Sequence, residues 1–341
     1  MVIKKTQQAL YQTYRKLDIL RLVYRRLGYH FAGVQAVVKP CHWLKKSLLT
    51  RGKSFCYKQL WYGIPSHRCL QMSPVIVCNF QCLYCWRAHE SDLHLTPIDP
   101  KMYEKIPYDP PKRIVDETLR AWRSILAGFK GNPKVDPKMF EEALNPIHVT
   151  LSLTGEPTLY PWVGEVIDQY FKQGFKSVFL VTNGSMPQVL RELKREPSQL
   201  YVTVPAPDRH TFRIITRPLI PDAWERLVET LRELENIRPP TVIRLTLVKG
   251  LSLKNPEKYA ELISLARPTY VEVKAAMSVG YFRRRLNKDN MPKHAEIKQF
   301  AEKLSDHLRK DGYKIIGEFL PSRVVLLSTL EQPMKIIGEK G

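Results

Sequence analysis

Pro74-Val75-Ile76-Val77-Cys78-Asn79-Phe80-Gln81-Cys82-Leu83-Tyr84-Cys85 is the stretch on which the reading of this chain turns. Pro74–Val77 reads as a short apolar strand that runs straight into three cysteines spaced Cys-x3-Cys-x2-Cys. Three thiolates on one short loop can ligate three irons of a 4Fe–4S cube, whereas a cube held wholly by protein takes four. A missing fourth ligand leaves one iron open, the logic of a reactive rather than a structural centre, as in zinc sites that keep a free position. A zinc ribbon would instead show two separate Cys-x2-Cys pairs, which the chain lacks. The plain alternative is three buried structural cysteines.

Downstream the sequence alternates. A connector rich in proline (Pro97, Pro100, Pro107, Pro110, Pro111) leads to an expected helix near 112–128, a strand at Ile147–Leu153, a helix near 162–173 and a strand at Ser177–Thr182. Further strands are expected at Leu200–Val204, Val242–Val248, Tyr270–Lys274 and Tyr313–Glu318, with helices near 187–195, 222–237, 255–266 and 293–311. Asn255-Pro256-Glu257 has the composition of a helix start: a capping side chain, proline at the first position, an acid in the first turn. Strands alternating with helices of this length imply parallel βαβ units, hence an α/β doubly wound sheet or a TIM-like barrel. Upstream, Leu10, Tyr14, Leu17, Leu20, Val23 and Leu27 recur at helical spacing, and Gly28 is a natural stop. Residues 28–72 are irregular in pattern and hold Cys41, Cys56 and Cys69.

The formal net charge of +21 is concentrated at the N-terminus, where residues 1–60 hold thirteen Lys or Arg against one acid, Asp18. Tyr11, Tyr14, Tyr24, Tyr29 and Phe31 are interleaved with that charge, Arg15, Arg21, Arg25 and Arg26 included. Stacking surface beside phosphate-binding charge points to a nucleic acid rather than a membrane. No run of about eighteen apolar residues is present, and Met1–Lys5 leads into polar sequence rather than the apolar stretch of a signal peptide. A cytoplasmic location is expected. All six cysteines lie between Cys41 and Cys85, and the 256 residues that follow contain none. Disulfides confined to one stretch of a large cytosolic chain would do little for its fold, so the clustering points to metal.

With the aromatic Tyr84 just before its last cysteine, the motif resembles the signature of the radical S-adenosylmethionine (SAM) superfamily. The resemblance implies that an open iron binds the amino and carboxylate groups of SAM, and that reductive cleavage then gives methionine and a 5′-deoxyadenosyl radical. Leu153-Thr154-Gly155-Glu156-Pro157 resembles the family's Gly-Gly-Glu-Pro segment, with Thr154 in place of the first glycine, which implies that Thr154, Gly155 and Glu156 meet the SAM amino group. Val181-Thr182-Asn183-Gly184 falls where the family often contacts the SAM ribose, implicating Thr182 and Asn183. Alone, Asn-Gly is merely a turn. These segments follow the cysteine motif in order, at the ends of successive strands where barrel active sites are built. The implied fold is a partial (β/α)6 TIM-like barrel over residues 73–320, with a basic, helical N-terminal extension at 1–72 and a C-terminal tail at 321–341.

Cys41, Cys56 and Cys69 are separated by 14 and 12 residues, too far apart for one loop motif. Read alone, they are buried hydrophobes. Their position directly upstream of the first motif, however, divides all six cysteines into two triplets. That partition resembles the tRNA 4-demethylwyosine synthase family, as do Ser54-Phe55-Cys56-Tyr57-Lys58-Gln59 and Cys85-Trp86-Arg87. The resemblance implies two 4Fe–4S clusters, with SAM, and as substrates pyruvate and phenylalanine tRNA bearing N1-methylguanosine 3′ of the anticodon. The radical would take hydrogen from the N1-methyl group, the carbon radical would add to the pyruvate carbonyl, the carboxyl carbon would leave, and ring closure would give a tricyclic base. Lys58 is then the candidate catalytic anchor for pyruvate, either as an imine or as a charge clamping the carboxylate. Tyr281-Phe282-Arg283-Arg284-Arg285 is a second basic–aromatic patch, either a tRNA contact or ordinary surface. Eukaryotic members carry a flavodoxin-like domain for which this chain has no room, so resemblance to the short archaeal form implies an external one-electron reductant; separately, a monomer is expected. The rival readings are a radical SAM enzyme with another RNA, protein or small-molecule substrate, and a non-catalytic RNA-binding protein with structural zinc.

Overall fold

Ten strands form a single sheet in the computed structural model, which describes residues 2–336. They are β1 (His30–Phe31), β2 (Val37–Val38), β3 (Cys69–Ser73), β4 (His148–Leu151), β5 (Ser177–Thr182), β6 (Gln199–Thr203), β7 (Thr241–Leu247), β8 (Tyr270–Ala275), β9 (Lys314–Phe319) and β10 (Val324–Ser328). The helices are α1 (Val2–Arg26), α2 (His42–Leu49), α3 (Tyr57–Tyr62), α4 (Pro111–Ala127), α5 (Pro137–Leu144), α6 (Val163–Lys172), α7 (Pro187–Arg191), α8 (Arg209–Thr216), α9 (Ala223–Glu233), α10 (Pro256–Ala266), α11 (Phe282–Arg285) and α12 (His294–His307). The strand order is β1-β2-β3-β4-β5-β6-β7-β8-β10-β9. The six strands β3 to β8 are parallel neighbours, and the edges are antiparallel. This is the expected (β/α)6 partial barrel, left open between β1 and β9.

Side-chain alternation gives the curved sheet two different faces. On the convex face Val149, Leu151, Val178, Leu180, Val202, Ile243, Leu245 and Val273 pack with Ile167, Leu227, Leu231, Ile263 and Leu304 of the surrounding helices. On the concave face Phe179, Tyr201, Val242, Tyr270, Val324 and Leu326 pack against Tyr57, Trp61 and Tyr62, so α3 plugs the barrel interior. Toward the C-terminal ends of the strands the inward positions change character. Gln71, Ser152, Thr203, Arg244, Thr246 and Lys274 are only half-buried. The interior is therefore an apolar floor beneath a polar chamber.

Three expectations need correction. The strand preceding the cysteine motif is Cys69–Ser73, not Pro74–Val77: its ladder with β4 ends at Met72↔Leu151. Val75–Val77 are buried, but Val77 O accepts the N–H of Glu156 (2.9 Å) in a loop rather than a ladder bond. On α1 the buried stripe is Thr13, Leu17, Leu20 and Tyr24, while Tyr14 and Leu27 are exposed. Asn255 precedes α10 in the left-handed conformation (φ 54°) and makes no side-chain cap, although Pro256 does open that helix. The sheet also runs across both expected domain boundaries. β1, β2 and Cys69–Met72 belong to it from the N-terminal side, and β10, fully buried, inserts between β8 and β9 from within the expected tail. Residues 337–341 of that tail lie outside the described residues.

Candidate active site

The Cys78–Cys85 loop leaves the C-terminal end of β3 and crosses the barrel mouth. It is braced on all sides: Gln81 N donates to Thr216 O (2.9 Å), Leu83 N to Ile215 O (2.8 Å), Leu219 N to Asn79 O (2.9 Å), and Tyr103 Oη to Cys78 O (3.0 Å). Arg285 holds it from the outside, donating to the carbonyls of Cys82 (3.1 Å), Cys85 (2.9 Å) and Arg87 (2.6 Å) while paired with Asp92. The basic–aromatic patch therefore divides. Phe282 and Arg285 are built into the site, and Arg283 and Arg284 remain exposed. Burial pushes the Cys78 thiol up to about 11 and the Cys82 thiol higher still.

The neighbouring loops meet the motif where expected. Gly155 has φ +65°, and a Cβ there would lie 2.4 Å from Val75 O and 2.7 Å from Val77 O, so only glycine lets the β4 loop close on the cysteine loop. Glu156 is buried and accepts from Thr158 N (3.1 Å), Thr158 Oγ1 (2.7 Å), Thr182 Oγ1 (2.7 Å) and Asn183 N (2.7 Å). Its carboxylate ties the β4 loop to the end of β5. Burial raises its pKa, and these donors oppose the rise. Asn183 Nδ2 donates to Asn79 Oδ1 (2.9 Å) and lies 3.9 Å from Cys78 Sγ. Thr154 N donates to Ser73 Oγ (2.8 Å), and Thr154 Oγ1 to the Tyr24 hydroxyl (3.3 Å), which fixes α1 to the mouth.

Of the second triplet, Cys56 and Cys69 lie against the concave-face cluster and Cys41 against the main core. Cys41 caps α2 and its sulfur accepts from Leu44 N (3.3 Å). Cys56 stands at the N-cap of α3 without a side-chain cap bond, and Cys69 opens β3 with its sulfur 3.7 Å from Thr150 Oγ1. Burial, then the nearby Cys69 and Cys56 thiols, push Cys41 up to about 12. All six cysteines are free thiols. Among the described residues no three His, Cys, Asp or Glu side chains group tightly enough to hold one metal ion. A zinc ion needs thiolates at about 2.3 Å; a four-iron cube accepts a wider set. Cys78, Cys82 and Cys85, three free thiols on one loop, are a donor set suited to such a cube with one iron left open.

Lys58 is the second residue of α3, in its first turn, and is 8% exposed. Its amine lies 3.8 Å from the Phe179 ring centroid, 5.0 Å from that of Tyr201, and 3.5 Å from Thr150 Oγ1. Burial lowers its pKa, against the opposing pull of the Cys69 thiol. Thr150 thus touches both Lys58 and Cys69. A network missed from the sequence holds α3 in place: Arg244 donates to Glu272 (2.8 Å) and to the Tyr57 hydroxyl (3.0 Å), and Tyr57 Oη to Glu272 (3.1 Å). Lys274, lowered to about 8 by burial and then by Arg244, donates to Ser322 O (2.7 Å) above it. The signal for these residues was present: Arg244, Thr246, Glu272 and Lys274 interrupt apolar strands at period two, the inward phase. From Cys69 to Ser73 is roughly 13 Å at about 3.3 Å per residue, so β3 separates Cys69 at its start from the Cys78–Cys85 loop beyond its end.

Comparison with known proteins agrees with this geometry. Residues 72–263 match the radical SAM superfamily, and residues 265–329 match a family described as wyosine base formation. The SAM-dependent tRNA 4-demethylwyosine synthase of Pyrococcus horikoshii is 50% identical over 309 residues, covering 89% of this chain and 87% of that protein. The human TYW1 synthase is 36% identical over 322 residues, covering 94% of this chain but 42% of its own length. A solved structure of TYW1 with a lysine–pyruvate adduct bound superposes with a TM-score of 0.79 at 32% identity, covering 92% of this chain and 97% of the other. The chain belongs to the tRNA 4-demethylwyosine synthase family of radical SAM enzymes.

Proposed function

We propose that the chain condenses N1-methylguanosine of tRNA with a two-carbon unit from pyruvate to give 4-demethylwyosine, by SAM-dependent radical chemistry. The observation that carries this reading is buried Lys58, which shares Thr150 with Cys69 and lies under the same sheet whose strand ends carry the Cys78–Cys85 loop. SAM and one 4Fe–4S cluster come with the family. Cys78, Cys82 and Cys85 are the ligands of that cluster, and Cys41, Cys56 and Cys69 hold a second. When bound, the first cluster supplies the electron that cleaves SAM to methionine and a 5′-deoxyadenosyl radical.

The protein's own part is placement. Ser152, Thr154, Gly155 and Asn183 present backbone and polar groups at the mouth, where SAM fits. Glu156 and Thr182 hold those loops in register through their mutual hydrogen bond rather than by free side chains. Lys58 anchors pyruvate as an imine. Support comes from its place beneath the mouth, its packing on Phe179 and Tyr201 without a carboxylate partner, and the lysine–pyruvate adduct of the related TYW1 structure. Lys274 adds positive charge where the keto acid's carboxylate enters, whereas the charge of Arg244 is already balanced by Glu272. The apolar floor below excludes water from the radical.

The basic face of α1 receives the tRNA backbone. An external one-electron reductant supplies electrons, and the chain acts as a monomer in the cytoplasm; no helix among the described residues is long and apolar enough to cross a membrane. Nucleoside mass spectrometry of tRNA incubated anaerobically with enzyme, SAM, pyruvate and dithionite tests the proposal. The tricyclic nucleoside is expected; SAM cleavage without it would move the substrate elsewhere.

A further inference from the structure

Arg87 is buried, 3% exposed, immediately after the cysteine loop. One guanidinium nitrogen, Nη2, donates to Phe80 O (2.8 Å). The other, Nη1, is buried with no partner. A buried guanidinium carries a desolvation cost that a nearby counter-charge must offset, and an unused donor adds to it. Glu90 is the carboxylate among its charged neighbours, but the Glu90 oxygen accepts from Gln81 Nε2 (3.3 Å) instead. The charged and polar groups gathered around the guanidinium are Cys78, Tyr24, Cys85 and Glu90, and the Tyr24 hydroxyl already donates to Ala88 O (3.0 Å) and accepts from Thr154 Oγ1 (3.3 Å).

Arg285 supplies the contrast. It approaches the same loop from outside with its donors consumed by Asp92 and three carbonyls. That pair is charge-compensated and fixes the backbone, including the Arg87 carbonyl. Arg87, by contrast, keeps a buried Nη1 that no group among the described residues accepts, beside the cysteine loop it holds through Phe80 O.

We infer that Arg87 donates an N–H···S hydrogen bond to the cluster bound by Cys78, Cys82 and Cys85, and that its fixed charge makes this cluster easier to reduce. A cube with three thiolates is anionic and gains a further negative charge when one electron enters from the external reductant; no bond to Arg87 forms or breaks covalently. Hydrogen bonds to sulfur and local charge are among the levers that set such potentials. Arg87 is thus a positioning and tuning residue. The inference rests on the cluster assignment made under Proposed function.

The test is an anaerobic redox titration of the reconstituted full chain, without SAM, following by EPR the cluster whose signal changes when SAM is later added. At the wild-type midpoint, Arg87→Met is expected to show a reduced-to-oxidised ratio at least about tenfold lower, equivalent to 59 mV for one electron. Arg87→Lys should recover part of that loss. A wild-type ratio in Arg87→Met at equal iron content overturns the inference. So does a normal SAM-free ratio with weakened SAM binding, which would assign Arg87 to the SAM carboxylate. Should Arg87→Met fail to take up iron, pulsed EPR of wild-type protein labelled with 15N-arginine decides. Nitrogen coupling to the reduced, SAM-sensitive cluster is expected, and its absence overturns the inference. If Cys78→Ala retains the SAM-sensitive signal, the underlying cluster assignment fails instead, and the tuning role with it.

Discussion

Lys58 has two aromatic faces, one long hydrogen bond to Thr150 and no carboxylate partner, a setting that keeps an amine near a reaction rather than in an ion pair. Lys58→Ala is expected to abolish the tricyclic product while 5′-deoxyadenosine still forms. Lys58→Arg separates imine from clamp, since arginine keeps the charge but cannot condense with a ketone. The imine predicts that Arg is as inactive as Ala, and that borohydride with labelled pyruvate tags the Lys58 peptide of the wild type. A tag on Lys274, the other lysine of the chamber, would shift the anchor to β8. Gly155 offers a second residue-scale prediction. Gly155→Ala places a methyl 2.4 Å from Val75 O in a left-handed conformation, so a loss of roughly 1–2 kcal/mol from strain alone is expected. Chemical denaturation would read that loss, and SAM cleavage should fall with it. Unchanged stability would mean that the loops at the mouth can separate.

At the scale of elements, α1 is pinned by Leu17, Leu20 and Tyr24 and turns its charge outward. Arg21 and Arg25 lie over the Phe31 ring (5.1 and 5.4 Å) and Arg15 over that of Tyr11 (6.0 Å), and Arg15, Arg25 and Arg26 are exposed. Neutralising all four should weaken tRNA binding and reduce its salt slope by up to about 0.9 for each duplex phosphate left without its arginine, and by less for single strands. An unchanged slope in a filter-binding titration would make the helix a solvated face only. The parallel strands β4 to β8 were legible because each is a β-branched or aromatic run bounded by turn residues. β3 was not, because Cys69-Leu70-Gln71-Met72-Ser73 puts polar residues into the chamber and so lacks an apolar run, while buried Val75–Val77 imitate one. β10 was missed although Val324-Val325-Leu326-Leu327 is an apolar run of the same kind; what no local pattern encodes is its place between β8 and β9. The α3 plug was hidden in a stretch without visible periodicity, since all but its Gln59 and Leu60 are buried in the short turn Tyr57–Tyr62.

For the whole molecule, the two triplets make different demands on one fold. Alanine at Cys78, Cys82 or Cys85 should end reductive cleavage of SAM. Alanine at Cys41, Cys56 or Cys69 should halve the iron content, to about four per chain for one remaining cube, and stop tricycle formation while cleavage persists at a lower rate. Full iron and full activity in any of the latter three would remove the second cluster. The motif cysteines, Gly155 and Asn183 were readable because their chemistry is local. Arg244, Glu272 and Lys274 became functional candidates only when the sheet brought them inward, and Arg87 only when the segment after the cysteine loop buried it. The central claim is that the radical formed at the mouth acts on the N1-methyl group of tRNA within this chamber. Its most direct test supplies tRNA carrying a trideuterated N1-methylguanosine and measures deuterium in 5′-deoxyadenosine by mass spectrometry. The account predicts deuterium transfer in step with the tricyclic nucleoside; deuterium-free 5′-deoxyadenosine formed alongside that product would contradict it.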